Sequence, residues 1–471
     1  MKRINLVFCG LMALAMMLVT ACQPEEESKT NVKGVSLGVN EFVLMIGRDT
    51  LLTAVVIPDD ATDNSVVWSS DKESVATVDN GLVKGIAEGT ACIIARTVDG
   101  GFQAECEVTV VKPYLAVKHM QADRLPDMIQ ARGDHVLFVA NGQLTVAGGH
   151  VSGFSPTSSA EYLEDGEWHS MTMNNTHDMA FSVVMSDGKM MIGGGCSSGS
   201  GVGQSSNVEL YDPSTHSFSV MASMNNNRTY SHAVELADGN VAVSGNWWTD
   251  DAIELYSSTS GEFIDKGTVS EDRTTPYVLR SGLNQAIIFS PIDPYGNFTN
   301  SLIVDRLEGE SFTVDLFDTW RPMRSFQNWR AADCEIADYT YLISAKNDND
   351  SIGIMKVEGE TFSMLKTELP IPLEYSGTKL EYSGQIFTNK TNKVAYMPAF
   401  SGNSASIIYY ILKVDYGTTP AKLTLYKTDE MDAYASIYCM TMLPDGRLVA
   451  CGGVYTSNFY PFATVLAFSP F

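Results

Sequence analysis

The sequence predicts an all-β protein, a small sandwich followed by a β-propeller, and three observations lead there. A degenerate repeat of roughly 45–50 residues runs from about Arg132 to Phe471, a period that marks arrays of four-stranded sheets. Ahead of it, residues 32–112 carry short β-rich runs separated by turn residues. The composition, 44% hydrophobic and 18% charged, suits a chain with buried cores, and 471 residues exceed one ordinary domain.

The first element is residues 1–21. Lys2-Arg3 precedes an apolar run from about Ile4 to Val19, too short for a spanning helix and typical of a secretory leader. Val19-Thr20-Ala21-Cys22 resembles a lipobox, which implies that Cys22 is lipidated and becomes the mature N-terminus. Several acyl chains on one residue hold a protein to lipid durably, since each buried methylene contributes roughly 0.8 kcal/mol. Residues 22–31 form an acidic tether. Its Gln23-Pro24-Glu25-Glu26-Glu27 resembles the export signal of surface lipoproteins in Bacteroidetes-type bacteria, which implies the outer face of the outer membrane.

Residues 32–112 read as a small antiparallel sandwich, with runs at Gly34–Leu37, Glu41–Ile46, Leu51–Ile57, Ser65–Ser69, Val75–Val78, Leu82–Ile86, Thr90–Thr97 and Ala104–Val111. The segments Val67-Trp68-Ser69-Ser70, Val75-Ala76-Thr77-Val78-Asp79, Gly81-Leu82-Val83 and Cys106-Glu107-Val108-Thr109-Val110 resemble the bacterial immunoglobulin-like group 2 domain. Such modules act mostly as stalks, so this one is expected to be a spacer with Trp68 in its core. Cys92 and Cys106 flank the turn at Asp99-Gly100-Gly101, either as a disulfide or as two small buried thiols.

Residues 113–471 hold the repeat. One unit reads Arg228-Thr229-Tyr230-Ser231-His232, Asp238-Gly239, Ser244-Gly245, Glu254-Leu255-Tyr256 and Phe263. The unit before it has His177-Asp178, Asp187-Gly188, Gly193-Gly194-Gly195, Glu209-Leu210-Tyr211 and Phe218. The first has Arg132, Asn141-Gly142, Gly148-Gly149, Ala160-Glu161-Tyr162 and Trp168, and the last keeps Asp445-Gly446 and Gly452-Gly453. These units resemble kelch repeats, as in the central domain of galactose-oxidase-like proteins. Phe312, Phe362 and Tyr426 continue the fourth-strand aromatic, giving about seven blades. Pro113–Met120 is expected to supply the outer strand of the last blade and so remove an exposed edge.

Loops after each glycine pair and loops before each inner strand share one face, where binding residues concentrate. They carry Asp134, His150, Phe154, Tyr455 and Tyr460, and the expected ligand-binding set Trp247, Trp248, Tyr230, Arg228, His177, Asp178, Arg132, Arg273, Trp329 and Arg330. Aromatic faces beside carboxylates and guanidiniums suit sugars, which stack their C–H faces and hydrogen-bond at their edges. Arg132, Arg228 and Arg273 also recur at the repeat's own arginine position, where bracing of the blades is the alternative role.

The resemblance to galactose oxidase sharpens at His177-Asp178-Met179-Ala180-Phe181 and Arg228-Thr229-Tyr230, which look like that family's His-Asp-Met-Phe-Cys and Arg-Gly-Tyr. In the family the cysteine and tyrosine are cross-linked beside copper, and a tryptophan stacks on them. Tyr230 and Trp247 match, whereas Phe181 stands at the cysteine and cannot form the thioether. The late Tyr-His pair is answered only by Tyr434-Ala435, and none of the seven histidines is placed to complete a nitrogen-rich copper site. Copper oxidase chemistry is therefore not expected, and neither a cofactor nor a metal is assigned.

With 31 basic and 56 acidic residues, the formal charge of −25 disfavours nucleic acid and anionic lipid headgroups as partners. The expected function is a non-catalytic surface lipoprotein that presents a propeller face to oligo- or polysaccharide for a neighbouring uptake system. Its expected partners are a glycan, the outer membrane through acylated Cys22, and an outer-membrane transporter complex. Two alternatives stay open: a copper-independent lyase or epimerase of a sugar acid, and a protein-interaction or adhesion scaffold.

Overall fold

The computed structural model describes residues 29–111, 115, 117–198, 202–246, 252–270, 275–290, 302–314, 320–323, 329–347, 350–375, 378–403, 406–428, 435–455 and 460–469. The chain divides into two compact units, Met1–Tyr114 and Leu115–Phe471. Among the described residues no helix is long and apolar enough to cross a membrane.

The first unit is an Ig-like sandwich. One sheet runs Glu41–Met45, Gln103–Val111, Gly89–Thr97, Val66–Ser70, with the first pair parallel. A second joins Asp49–Leu51, Leu82–Gly85 and Ala76–Asp79, and a third pairs Gly34–Leu37 with Ala54–Ile57. The expected strand Leu51–Ile57 is broken. Leu52 turns into the core and its N–H donates to the Gly81 carbonyl at 2.8 Å, so the chain crosses between sheets at that point. Alternating burial along Gly89–Thr97 puts Ala91, Ile93 and Ala95 inside with Leu44, Val83, Cys106 and Val108, and Trp68 packs against this core. Cys92 aligns with Glu107 and Cys106 with Ile93, one step out of register. Successive strand residues face opposite ways, so the two thiols lie on opposite faces of the sheet and both are free.

Among the described residues of the second unit, seven sheets of four or more strands succeed one another along the chain, each numbered here as a blade, with three two-stranded sheets besides. Blade 1 runs from inner to outer strand as Val136–Ala140, Gln143–Ala147, Ser159–Glu164, Glu167–Thr172. Blades 2, 3 and 4 repeat this order with inner strands Phe181–Val184, His232–Glu235 and Tyr277–Gly282. In blades 2 and 3 the third- and fourth-strand aromatics are cross-strand partners: Tyr211 lies opposite Phe218 and Tyr256 opposite Phe263. The paired rings bury apolar area on the outer half of each blade.

Blades 5 and 6 have divided inner strands. In blade 5, Arg321–Pro322 and Glu335–Ala337 pair with opposite ends of Thr340–Lys346, and the chain between them turns through a four-residue helix, Ala331–Cys334. In blade 6, Glu381–Tyr382 and Phe387–Asn389 share Val394–Asn403 in the same way. Blade 7 begins with Ala435–Met442, which lies against the inner strand of blade 1 and so completes the ring.

Closure differs from expectation. Val117–Met120 adds in parallel to Lys422–Thr428 of blade 6, and Ala122–Leu125 pairs antiparallel with Pro461–Phe468 as the fourth strand of blade 7. Two successive strands from the start of the unit thus cover two neighbouring edges, because Gln121 between them lets the chain step from one blade to the next.

Candidate functional site

The glycine pairs fix one end of the ring. Gly149 N–H donates to the His177 carbonyl (2.9 Å), Gly195 N–H to Arg228 (2.7 Å) and Gly453 N–H to Arg132 (3.2 Å), each reaching the next blade. Gly148 has φ +65°, and a Cβ there would fall 2.2 Å from the His177 carbonyl oxygen, so only glycine allows the approach. These contacts place the loops after the second strands beside the segments that lead into the next inner strands.

Two residues after each repeat arginine or histidine, the backbone is left-handed. Asp134 (φ 53°), Met179 (60°), Tyr230 (51°) and Thr275 (51°) occupy this same position in blades 1 to 4. Met179 N–H donates to the Asp134 carbonyl (3.2 Å) and Tyr230 N–H to the Met179 carbonyl (3.0 Å), linking the positions from blade to blade around the axis. Side chains far apart in sequence, such as Asp134 and Tyr230, are thereby gathered at one axial end.

At its centre lie Asp134, His150 and Asp178. His150 Nδ1 is 3.1 Å from Asp178 Oδ1 and 3.6 Å from Asp134 Oδ2, and the side chains are 1%, 1% and 8% exposed for His150, Asp178 and Asp134. The backbones are pinned. Gly133 and His150 exchange N–H···O bonds of 3.0 and 2.9 Å, and Cys196 N–H donates to the Asp178 carbonyl at 2.7 Å. Burial, with the Asp178 carboxylate beside it, pushes Asp134 up to about 7. Burial raises Asp178 as well, against the pull of His150. Burial pulls His150 down, but the hydrogen bond to Asp178 and both negative charges leave it above its ordinary value. The three groups therefore hold protons to higher pH than each would alone. Burial and the same carboxylates push the half-buried Tyr230 phenol up, which keeps it neutral beside them. Perturbed groups gathered in one place mark a functional site.

The structure divides the expected ligand set. Tyr230 and Asp178 belong to the axial site. Arg132 and Arg228 do not: both are fully buried inside their own blades. Arg132 donates to the Gly148 and Ser159 carbonyls and ion-pairs with Glu161 at 2.6 Å; Arg228 donates to the Gly245 and Ala252 carbonyls and pairs with Glu254 at 2.8 Å. His177 fills the same place in blade 2, with Nδ1 on the Gly194 carbonyl and Nε2 3.5 Å from Glu209. They brace, and a charge so enclosed is not available to a ligand. Trp329 is also interior, against His232 and Tyr277. Arg330 crosses the ring, donating to the Leu137 carbonyl of blade 1 (2.6 Å) and Thr441 Oγ1 of blade 7 (2.9 Å), with Asp333 as its ion pair. A cavity of ≈ 340 Å³ is lined by Arg330 together with Ser182, Val184, Glu235, Arg280 and Glu335. Trp247, Trp248, Arg273 and Cys22 lie outside the described residues.

Asp134 and His150 were absent from that set. The available signal was positional: Asp134 stands at the repeat position of Tyr230, and His150 directly follows a glycine pair.

The copper centre of the galactose-oxidase resemblance does not fit. Phe181 is buried in the core shared by blades 2 and 3, its ring filling the space a Cβ on Gly193 would need, and it supplies no sulfur. His150 stands between the carboxylates of Asp134 and Asp178, a set of one nitrogen and two carboxylates rather than the nitrogen-rich tetragonal site that copper(II) favours. No step through copper follows.

Residues 31–108 match the bacterial Ig-like domain (group 2), and residues 180–225 match the kelch motif. The chain is 46% identical over 80 residues to an alpha-L-arabinofuranosidase of Bifidobacterium longum subsp. longum, covering 17% of this chain and 8% of that enzyme. It is 38% identical over 88 residues to the lacto-N-biosidase of Bifidobacterium bifidum, covering 18% and 8%. Both matches fall on the Ig-like part, so the chain spans under a tenth of either relative. In three dimensions it is similar to a fungal alcohol oxidase of the AA5 family solved with copper, at TM-score 0.50 and 11% identity, over 75% of this chain and 77% of that one. A likeness at that identity is one of fold.

Proposed function

We propose that the chain is a non-catalytic, cell-surface lipoprotein that binds oligo- or polysaccharide on the axial end of its propeller. One observation carries the reading. Phe154 of blade 1, Tyr230 ahead of blade 3, and Tyr455 and Tyr460 of blade 7 stand at the end that holds Asp134, His150 and Asp178; Tyr460 is 51% exposed and the other three are half-buried. Partly solvated aromatic rings around a polar centre suit a ligand ring with C–H faces and hydroxyl edges. Two further points support it. Curated relatives that share the Ig-like part include enzymes that act on arabinofuranosides and on lacto-N-biose units, so this module accompanies glycan chemistry elsewhere. Cys22 and the acidic run behind it supply an anchor and an outward address, and a neighbouring transporter complex would receive what is bound.

The test is affinity electrophoresis of the protein in gels containing a broad panel of plant, host and microbial glycans. At least one polysaccharide is expected to retard migration, and Trp247→Ala and Tyr460→Ala are each expected to restore mobility in part. Unchanged mobility throughout the panel ends the proposal.

A further inference from the structure

We propose that Asp134, His150 and Asp178 form a binding site for one divalent first-row transition ion of the Zn²⁺ or Mn²⁺ kind, independent of the glycan reading. The three donors come from two adjacent blades, and all their ligand atoms lie within 4.8 Å of one another. An ion with bonds of about 2.0–2.2 Å to nitrogen and oxygen holds neighbouring donors about 3.0–3.5 Å apart at octahedral or tetrahedral angles. The contacts from His150 Nδ1, 3.1 and 3.6 Å, bracket that spacing.

A second observation points to a missing partner. Asp178 is 1% exposed, yet its Oδ2 is buried and accepts no hydrogen bond among the described residues. Asp134, nine-tenths buried, has His150 as its ion-pair partner among the described residues, at 3.6 Å. Buried carboxylates ordinarily take several hydrogen bonds or a cation. The guanidiniums of the repeat arginines Arg132 and Arg228 are committed to Glu161 and Glu254. Two carboxylates and a neutral imidazole sum to −2, the complement of a divalent ion.

The donor set selects the ion class. Ca²⁺ asks for six to eight oxygens, and Mg²⁺ for an octahedron of oxygens, whereas one nitrogen with two carboxylate oxygens suits Zn²⁺ or Mn²⁺. The donors need little rearrangement, because Gly133–His150 and Asp178–Cys196 backbone bonds already hold their main chains. Solvent or a ligand hydroxyl would complete the shell.

The full chain, stripped with chelator and dialysed, is titrated with Zn²⁺ and Mn²⁺ by calorimetry, with metal content read by mass spectrometry and Ca²⁺ and Mg²⁺ as comparison ions. One equivalent of Zn²⁺ or Mn²⁺ per chain is expected, with a rise in Tm on binding. Asp134→Asn and Asp178→Asn should each weaken binding at least about tenfold and abolish the Tm rise. Asparagine tolerates the left-handed backbone of residue 134, so Asp134→Asn keeps the fold and decides the matter if Asp178→Asn does not fold. Absence of one-equivalent binding by both ions, or equal affinity in Asp134→Asn, overturns the site; so does binding of Ca²⁺ or Mg²⁺ as tight as that of Zn²⁺ and Mn²⁺.

Discussion

His232 shows what burial does to a single ionisable group in this ring. Its ring is 6% exposed, Nδ1 bonds the Pro276 carbonyl and the imidazole faces Trp329. Burial holds its protonation down to about 4, from 6.5 in an unfolded chain. Between those values the unfolded state binds the extra proton, so stability rises with pH across the window. The contribution is complete above pH 6.5 and lost as pH falls to about 4. His232→Gln should therefore flatten the fall of Tm between pH 6.5 and 4, and parallel Tm–pH curves for the two proteins would refute the assignment. The arginines teach a different lesson at this scale. Arg132 and Arg228 recur with the repeat because each ties the start of an inner strand to two carbonyls and a glutamate of its own blade. Sequence spacing marked the position correctly, but spacing does not say which way a side chain points, and the rim reading of these residues failed there. Asp134 was placed on the rim but left out of the ligand set for the converse reason: an aspartate two residues beyond an arginine looks like an ordinary turn residue, and spacing does not reveal its left-handed backbone.

At the scale of the element, the turns that join blades differ from those that join strands. Gly142 and Gly148 are both left-handed, but a Cβ on Gly142 meets nothing within 4 Å, whereas on Gly148 it strikes the His177 carbonyl at 2.2 Å. Gly142→Ala is expected to cost about 1–2 kcal/mol through the backbone alone. Gly148→Ala should cost clearly more, because the neighbouring blade must also move. Urea unfolding of both variants measures the difference, and equal costs would show that the blades do not abut as described. Blades 1 to 3 were legible because each keeps an Asp-Gly or Asn-Gly hairpin, a glycine pair or Ser-Gly, a third-strand tyrosine and a fourth-strand aromatic in order. Blades 5 and 6 were legible only at their fourth-strand aromatics. Their inner strands are two- and three-residue fragments, too short for alternation to register, and Trp329 and Arg330, expected on the ligand-facing rim, are interior.

For the whole molecule the decisive feature is closure from the N-terminal side of the second unit. Removing Leu115–Leu125 would bare the outer edges Lys422–Thr428 of blade 6 and Pro461–Phe468 of blade 7. Bared edges pair with other chains. The shortened protein should elute from size-exclusion chromatography as oligomers or aggregate and melt at lower temperature, and a monomer of unchanged Tm would argue against closure by these strands. The sequence made a closing strand foreseeable from the missing fourth strand of blade 7, but not its partner. Pairing partners distant in sequence are set by where the ring brings its ends, and Val117–Met120 and Ala122–Leu125 are too alike in length and pattern to be told apart beforehand. The same arrangement governs biosynthesis. Ala122–Leu125 leave the ribosome before any blade exists, and their partners Val465–Phe468 follow only after the other six blades have been made. The ring can be sealed only once Val465–Phe468 have been made, so a nascent chain stalled at any earlier point carries an unsatisfied edge and is a natural client for holding chaperones.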